Sequence, residues 1–384
     1  MRVLFVTHAY PRFPSDAAGS FLHRLALALR AEGSDVHVLA PSGEGLAKEE
    51  VLEGVPIRRF RYAPRDMESL AYTGTMAEQV LRSVRGKAAL AGFLAAGGFA
   101  VNREVGRLRP DVVHAHWWFP GGLLALSGDE VPIVTTLHGS DVRLARRVAW
   151  VHPLLRKVLA RSAAVTSVSG WLAGEARAMA PDAKVTVAPM PADTSLFRDQ
   201  ASARVPGRFL FVGRLNRQKG LGDLLDALAW TPPGISLDVV GAGEDEEALR
   251  ARASQNGVAA RVRWLGQLSR QEVADAFRRA EATVMPSREE GLGLVAVESQ
   301  LCRTPVIAYQ SGGLTDVVHP EWGGTLVPPG DTRALAEAMR QRYLQSENRG
   351  ERGAAGRARM LDRFSPSAAA ARYQEIYREV MRRG

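Results

Sequence analysis

This 384-residue sequence predicts two α/β domains, each a parallel sheet wrapped by helices. Three observations carry that prediction. The chain is longer than one hydrophobic core usually supports, since cores stop growing at roughly 250 residues. Short apolar runs alternate with amphipathic helical stretches from end to end, which is the pattern of repeated β-α units. The segment Pro189–Pro206, rich in Pro, Ala and Ser and without periodicity, interrupts the alternation near the middle as a linker would.

In the first half the strand-like runs are Val3–Val6, Val36–Leu39, Val112–Ala115, Ile133–Leu137, Ala164–Val168 and Val185–Ala188. In the second they are Phe209–Val212, Leu237–Val240, Val262–Leu265, Thr283–Met285, Val306–Ala308 and Thr325–Val327. Helical patterns lie between them, among them Ser20–Ala31 before Gly33, and Asp331–Tyr343. Near the end, Tyr373, Ile376, Tyr377, Val380 and Met381 make one apolar helical stripe. The pattern leaves open whether that stripe packs on its own domain or on the first. In sheets of this kind ligands bind at the carboxyl ends of the strands, so two such domains facing each other would share a cleft.

Composition removes several classes. A single cysteine, Cys302, excludes an internal disulfide framework and a multi-cysteine zinc site. The opening MRVLFVTHAYP is too short an apolar run for a signal peptide. The longest apolar stretch, Ala88 to Val101, falls short of the ~20 residues of a membrane span. The expectation is a cytoplasmic protein that is not integral to a membrane. A net charge of +9 is spread over both halves with acids interspersed, which argues against nucleic acid and for an anionic small ligand or an anionic membrane surface. The cluster Arg58, Arg59, Arg61, Arg65, Arg82, Arg85 and Lys87 beside the apolar stretch is either a solvated basic face or a contact peripheral to the membrane's inner face.

Two motifs carry chemistry. In PSREEGLGLVAVES a strand ends at Met285, and Gly291 and Gly293 precede a helix whose first N–H groups suit a phosphate. Glu290 and Glu298, eight residues apart, are acceptors for sugar hydroxyls, or else a solvated acidic loop followed by a helix glutamate. In FVGRLNRQKG, Arg214 and Lys219 follow a strand and form either a diphosphate clamp or a basic surface loop. In the first half, His138 stands in TLHGSD, where Asp141 is near enough to orient it. His114 is read as structural, His116 as undecided, and Trp117 and Trp118 as packing at the rim of the cleft.

Together, in chain order, these segments resemble glycosyltransferase family 4. The Arg-x₄-Lys and the E-x₇-E carry the resemblance, with TPVIAYQSGGLTDVV, GGTLVPPGD, VVHAHWWFPGG and the loop ending at Gly19–Ser20. The resemblance implies a GT-B fold: two Rossmann-like domains, 1–195 and 204–364, with a helix in 365–384 crossing back to the first. It further implies retaining, metal-independent transfer from a UDP- or GDP-sugar to a hydroxyl of a sugar, lipid or small-molecule acceptor, with no cofactor. Arg214 and Lys219 match the diphosphate-binding pair, Glu290 the carboxylate on the transferred sugar and Glu298 the one on the ribose. Gly291, Leu292 and Gly293 would meet sugar and phosphates through their backbone, and His138 would stand beside the reacting sugar. The family's Gly–Gly pair at the first helix is Ala18–Gly19 here, and its Asn-Gly before an Asp near the linker is replaced by Met190-Pro191-Ala192-Asp193.

Three rivals remain to be weighed. A dinucleotide-dependent oxidoreductase is rejected because Gly241-Ala-Gly243 continues to Glu246 where the third glycine belongs, amid acids that repel a pyrophosphate. A GT-B sugar-nucleotide epimerase shares the fold and donor, but the order of HGSD, R-x₄-K and E-x₇-E favours a transferase. A non-catalytic partner protein sits poorly with His138, Arg214, Lys219 and Glu290 all in place.

Overall fold

The computed structural model describes the chain apart from residues 15, 17, 65, 66, 73–75, 77, 78, 81, 82, 129, 201–203, 346–348 and 384. It forms two compact units, Met1–Pro191 with Pro366–Gly384, and Ala192–Ser365.

The strands of the first unit are β1 (Arg2–Val6), β2 (Asp35–Pro41), β3 (Glu49–Leu52), β4 (Val55–Phe60), β5 (Val112–His116), β6 (Ile133–Leu137), β7 (Ala164–Ser167) and β8 (Val185–Val187). They lie in the order β3-β4-β2-β1-β5-β6-β7-β8. Every pairing is parallel except that of β3 with β4, a hairpin turning at Glu53–Gly54 with both residues at positive φ. The interior strands β5 and β6 are buried at every position, as strands covered on both faces must be. Helix α1 (Ser20–Ala31) follows β1 and buries Leu22, Leu25, Ala26 and Leu29. Helix α2 (Val84–Leu108) absorbs the long apolar stretch. At 25 residues it is long and apolar enough to cross a membrane by length and composition, yet Phe93 and Val101 are wholly buried in the core of this unit. A Cβ on Gly97 would come within 2.8 Å of Leu124, so the small residues allow close packing. Helix α3 (Ser140–Arg147) follows β6.

The C-terminal helix Pro366–Arg383 belongs to this first unit. Tyr373, Ile376, Tyr377 and Val380 of its stripe are buried, and the Tyr373 hydroxyl donates to the Ala188 carbonyl at 2.9 Å.

The second unit contains β9 (Arg208–Val212), β10 (Ser236–Val240), β11 (Val262–Gly266), β12 (Ala282–Met285), β13 (Val306–Tyr309) and β14 (Thr325–Val327). Their order is β11-β10-β9-β12-β13-β14, and all are parallel. This is the doubly wound order, which reverses between β9 and β12. The chain joins this unit at Ala192, ahead of the sequence-read start at 204: Asp193 pairs with Arg270 at 2.9 Å, and Phe197 packs edge-on against Phe277. Helix α4 (Leu294–Leu301) follows β12 and its loop.

The basic cluster read from sequence needs correction. Arg59 is fully buried, with its guanidinium on Glu50, the Tyr72 hydroxyl and the Pro11 carbonyl. Arg58 is largely buried against Glu49 and Glu104. Both lie on β4, a strand the sequence reading did not include, and its partners β3 and α2 supply their acids. Arg65 and Arg82 lie outside the described residues, while Arg85 and Lys87 are exposed on α2.

Candidate functional site

Each sheet changes winding direction at one place, and the sequence-read residues gather there. In the second unit the point falls between β9 and β12, so the loops after these strands are neighbours. Lys219 follows β9 and Glu290 follows β12. Lys219 Nζ donates to both carboxylate oxygens of Glu290, at 2.8 and 3.0 Å. An ammonium has three donors, so one remains for a ligand. Arg214 is exposed and its guanidinium makes no hydrogen bond or ion pair among the described residues. Glu290 sits in the loop and Glu298 within α4, as their spacing suggested.

Backbone packing explains why these loops hold their shape. Gly220 has φ +73, and a Cβ there would lie 2.0 Å from the Pro286 carbonyl oxygen. The Arg288 N–H donates to the Gln218 carbonyl at 2.8 Å, tying the two loops together. Gly293, with φ +88, forms the N-cap of α4 without a side-chain cap, so the first N–H groups of that helix keep their donors free of a side-chain acceptor. A third loop, Ser311-Gly312-Gly313 after β13, braces Glu290 from behind. Ser311 Oγ accepts from the Glu289 N–H at 3.1 Å, and the Gly313 N–H donates to the Glu290 carbonyl at 2.7 Å. A side chain on Gly312 or Gly313 would strike the Glu290 or Gly291 backbone at 2.4 or 2.3 Å. The SGG segment carried no role in the sequence reading. Its signal was the glycine pair directly after a strand. Glu289 itself sits at φ +56, a conformation uncommon for a non-glycine residue and frequent at functional sites.

In the first unit the switch falls between β1 and β5. Gly19, at φ +70, caps α1, and a Cβ there would lie 2.5 Å from the Ala9 carbonyl oxygen. Glycine is therefore required at 19, next to the Ala18 that stands where the family has its other glycine. The ends of β5 and β6 bring three histidines together. His114 is structural, as read: Nδ1 meets the Tyr377 hydroxyl and Nε2 the Thr136 hydroxyl, both at 2.6 Å. His116 Nδ1 lies 3.2 Å from His138 Nε2. Trp117, at φ +63, stacks on His138 with centroids 4.4 Å apart and meets His8 edge-on at 4.3 Å.

Asp141 does a different job from the one expected of it. Its Oδ1 accepts from the backbone N–H of His138, Gly139 and Val142 at 3.2, 2.9 and 3.0 Å, and its Oδ2 from that of Trp118 at 3.0 Å. The carboxylate fixes the HGSD turn, and the His138 ring is met instead by His116. Trp118 is buried and donates from its indole to the Asp141 carbonyl at 2.8 Å, so it packs the interior and not a rim. Burial raises the Asp141 carboxyl against these four donors. Burial also drives His114 down to about 3 and His8 to about 4, and holds His116 and His138 well below the ordinary histidine value. These four imidazoles are neutral at physiological pH.

Residues 194–359 match the family model "Glycosyl transferases group 1" and residues 18–196 match "Glycosyltransferase Family 4". The glycogen synthase of Mycobacterium tuberculosis (strain CDC 1551 / Oshkosh) is 30% identical over 411 residues, covering 98% of this chain and 94% of that protein. The sucrose-phosphate synthase of Thermosynechococcus elongatus superposes with a TM-score of 0.82 at 24% identity, covering 100% and 99% of the two chains. Anabaena Alr3699/HepE, solved in complex with UDP-glucose, superposes with a TM-score of 0.70 at 18% identity, covering 99% and 100%.

Proposed function

The chain belongs to glycosyltransferase family 4 and has the GT-B fold, and from that premise we propose a retaining, metal-independent transfer of a sugar from a nucleotide-diphospho-sugar to an acceptor hydroxyl. The observation that carries the reading is the two-pronged Lys219–Glu290 ion pair at the switch point of the second unit. A cation and a carboxylate in contact can address the two halves of one donor, the diphosphate and the sugar joined to it. As the C1–O bond breaks, its electron pair goes to the diphosphate, where Arg214, Lys219 and the N–H groups at the start of α4 stabilise the charge. These cations do what a divalent metal does in other transferases. The acceptor oxygen bonds to C1 on the face being vacated, and its proton passes to a phosphate oxygen. Glu290 binds the transferred sugar, Glu298 the ribose, and His138 stands at the sugar. A UDP-sugar is the first donor to try, since Alr3699/HepE holds UDP-glucose.

Hydrolysis assays with UDP-, GDP- and ADP-sugars, with and without a chelator, test the reading. Turnover of one donor class, unchanged by the chelator, is expected. Loss of activity on chelation would end the metal-independent mechanism.

We also infer contact with anionic lipid through the outer face of α2. Val84, Ala88, Ala91, Ala95 and Phe99 form an exposed stripe, with Val84 81% and Phe99 71% exposed. Arg85 and Arg103 flank it on one side and Lys87 on the other, the arrangement of an interfacial helix. Sedimentation with anionic vesicles at low salt should carry the protein down, and neutral vesicles should leave it in solution. Equal behaviour with both would end the idea.

A further inference from the structure

His116 and His138 end adjacent strands, and the short contact between their rings is an N–H···N hydrogen bond in which one ring must be donor and the other acceptor. Both rings are held neutral by burial, so each carries one proton. Two arrangements are possible. In the first, His116 donates from Nδ1, His138 accepts at Nε2, and His138 carries its own proton on Nδ1. In the second, His138 donates from Nε2 and His116 carries its proton on Nε2.

The far nitrogen of His116 distinguishes them. His116 is fully buried, and its Nε2 has no hydrogen-bond partner among the described residues. Against the His116 ring stand Phe5, edge-on with centroids 4.7 Å apart, and His114 at 4.1 Å, whose own nitrogens are engaged by Tyr377 and Thr136. The second arrangement would bury an N–H with nothing to receive it, whereas the first buries only a lone pair. Orphaned buried N–H groups are the rarer of the two defects in folded proteins.

We propose that His116 is a positioning residue that holds His138 as its Nδ1–H tautomer. The backbone under His138 is already fixed by Asp141, and the Trp117 and Phe21 rings lie tilted against its ring, with centroids 4.4 and 5.3 Å away. His116 adds the proton's location. His138 Nδ1 makes no hydrogen bond among the described residues, so the tautomer decides whether that atom offers a donor or an acceptor. A donor suits the lone pairs of a sugar hydroxyl or of an oxygen gaining charge. This functional part rests on the transferase reading of His138. The tautomer itself does not.

The experiment is ring-¹⁵N NMR of histidine-labelled protein without substrate, with the His138 ring assigned by through-bond correlation to its own backbone amide. In the wild type His138 should show a bare Nε2 and a protonated Nδ1. His116→Leu should move His138 toward the Nε2–H form that a free imidazole favours. A protonated His138 Nε2 in the wild type would overturn the proposal, whether or not any variant folds. With an active donor, kcat should follow the fraction of Nδ1–H form across wild type, His116→Asn and His116→Leu. About a tenfold fall is expected at the Leu end, the worth of one hydrogen bond, with donor KM little changed. A tautomer that moves while kcat stays put would overturn the functional part. If the wild type turns over no nucleotide-sugar at all, the transferase reading fails while the NMR result still decides the tautomer.

Discussion

At the β1–β5 switch point of the first unit, His8, His114, His116, His138, Trp117 and Trp118 pack into a neutral, mostly buried cluster. At the β9–β12 switch point of the second unit the same topological position is filled by partly exposed ions, with Lys219 against Glu290 and Arg214 facing solvent. The same kind of sheet, wound in the same sense, thus supports two chemistries. A neutral cluster can shape and position without adding charge. An ionic cluster can stabilise charge that develops elsewhere, but only if its own ions are not fully quenched by each other. The third donor of Lys219 and the guanidinium of Arg214, unpaired among the described residues, meet that condition.

The largest expected effect attacks the ionic side. Arg214→Ala and Lys219→Ala should each lower turnover about 100-fold or more while leaving the fold intact, because each removes a cation from the proposed surroundings of the leaving group. Wild-type turnover in either variant would remove the clamp. Because Lys219 and Glu290 touch, the double variant Lys219→Ala/Glu290→Gln should lose much less than the product of the single losses. Strict additivity would mean that the ion pair does not persist in the working enzyme.

The neutral side should fail with acid. A buried histidine whose folded value lies below 6.5 is protonated first in the unfolded chain. Stability is therefore full above that pH and is lost as pH falls toward the folded value. For His114, near 3, and His8, near 4, this amounts to about 2 kcal/mol each on going from pH 7.5 to pH 5. Seven of the eight histidines lie in the first unit and only His319 in the second. Hydrogen exchange, corrected for its intrinsic pH dependence, should show peptides of the first unit losing protection at pH 5 well before those of the second. Parallel loss in both would refute the contrast.

Smaller effects separate the roles proposed for the two carboxylates. Glu290→Gln should mainly lower kcat, because the sugar contact proposed for it strengthens as the glycosidic bond breaks. Glu298→Gln should mainly raise the donor KM, about tenfold for one good hydrogen bond. Steady-state kinetics on variants of matched thermal stability would show a reversed pattern if the two assignments are exchanged.

Much of this was legible in the residues. All twelve strand-like runs became strands, because strands covered on both faces announce themselves as short apolar runs. The β3–β4 hairpin was not read. Glu49–Leu52 is an exposed edge strand beginning with two glutamates, and Arg58 and Arg59 of β4 looked like part of a basic surface. The side chains that form ion pairs with them lie 9 to 46 residues away, and no local pattern reports such distances. The candidate residues at the switch points were found because glycines and charges follow strand ends there. Their pairings were not. Lys219 and Glu290 are 71 positions apart and His116 and His138 are 22, so the contacts exist only once the sheet order is known.

The C-terminal helix has a consequence for the order of synthesis. The second unit is, in chain terms, an insertion in the first, and the helix that closes the first unit is made only after the second unit. Until it arrives, His114 lacks the Tyr377 hydroxyl that satisfies one of its ring nitrogens, and the wall formed by Tyr373, Ile376 and Val380 is missing. Domains that emerge first usually fold first. Here the second unit is complete and free to fold while the first still waits, open on one flank, for that eighteen-residue helix.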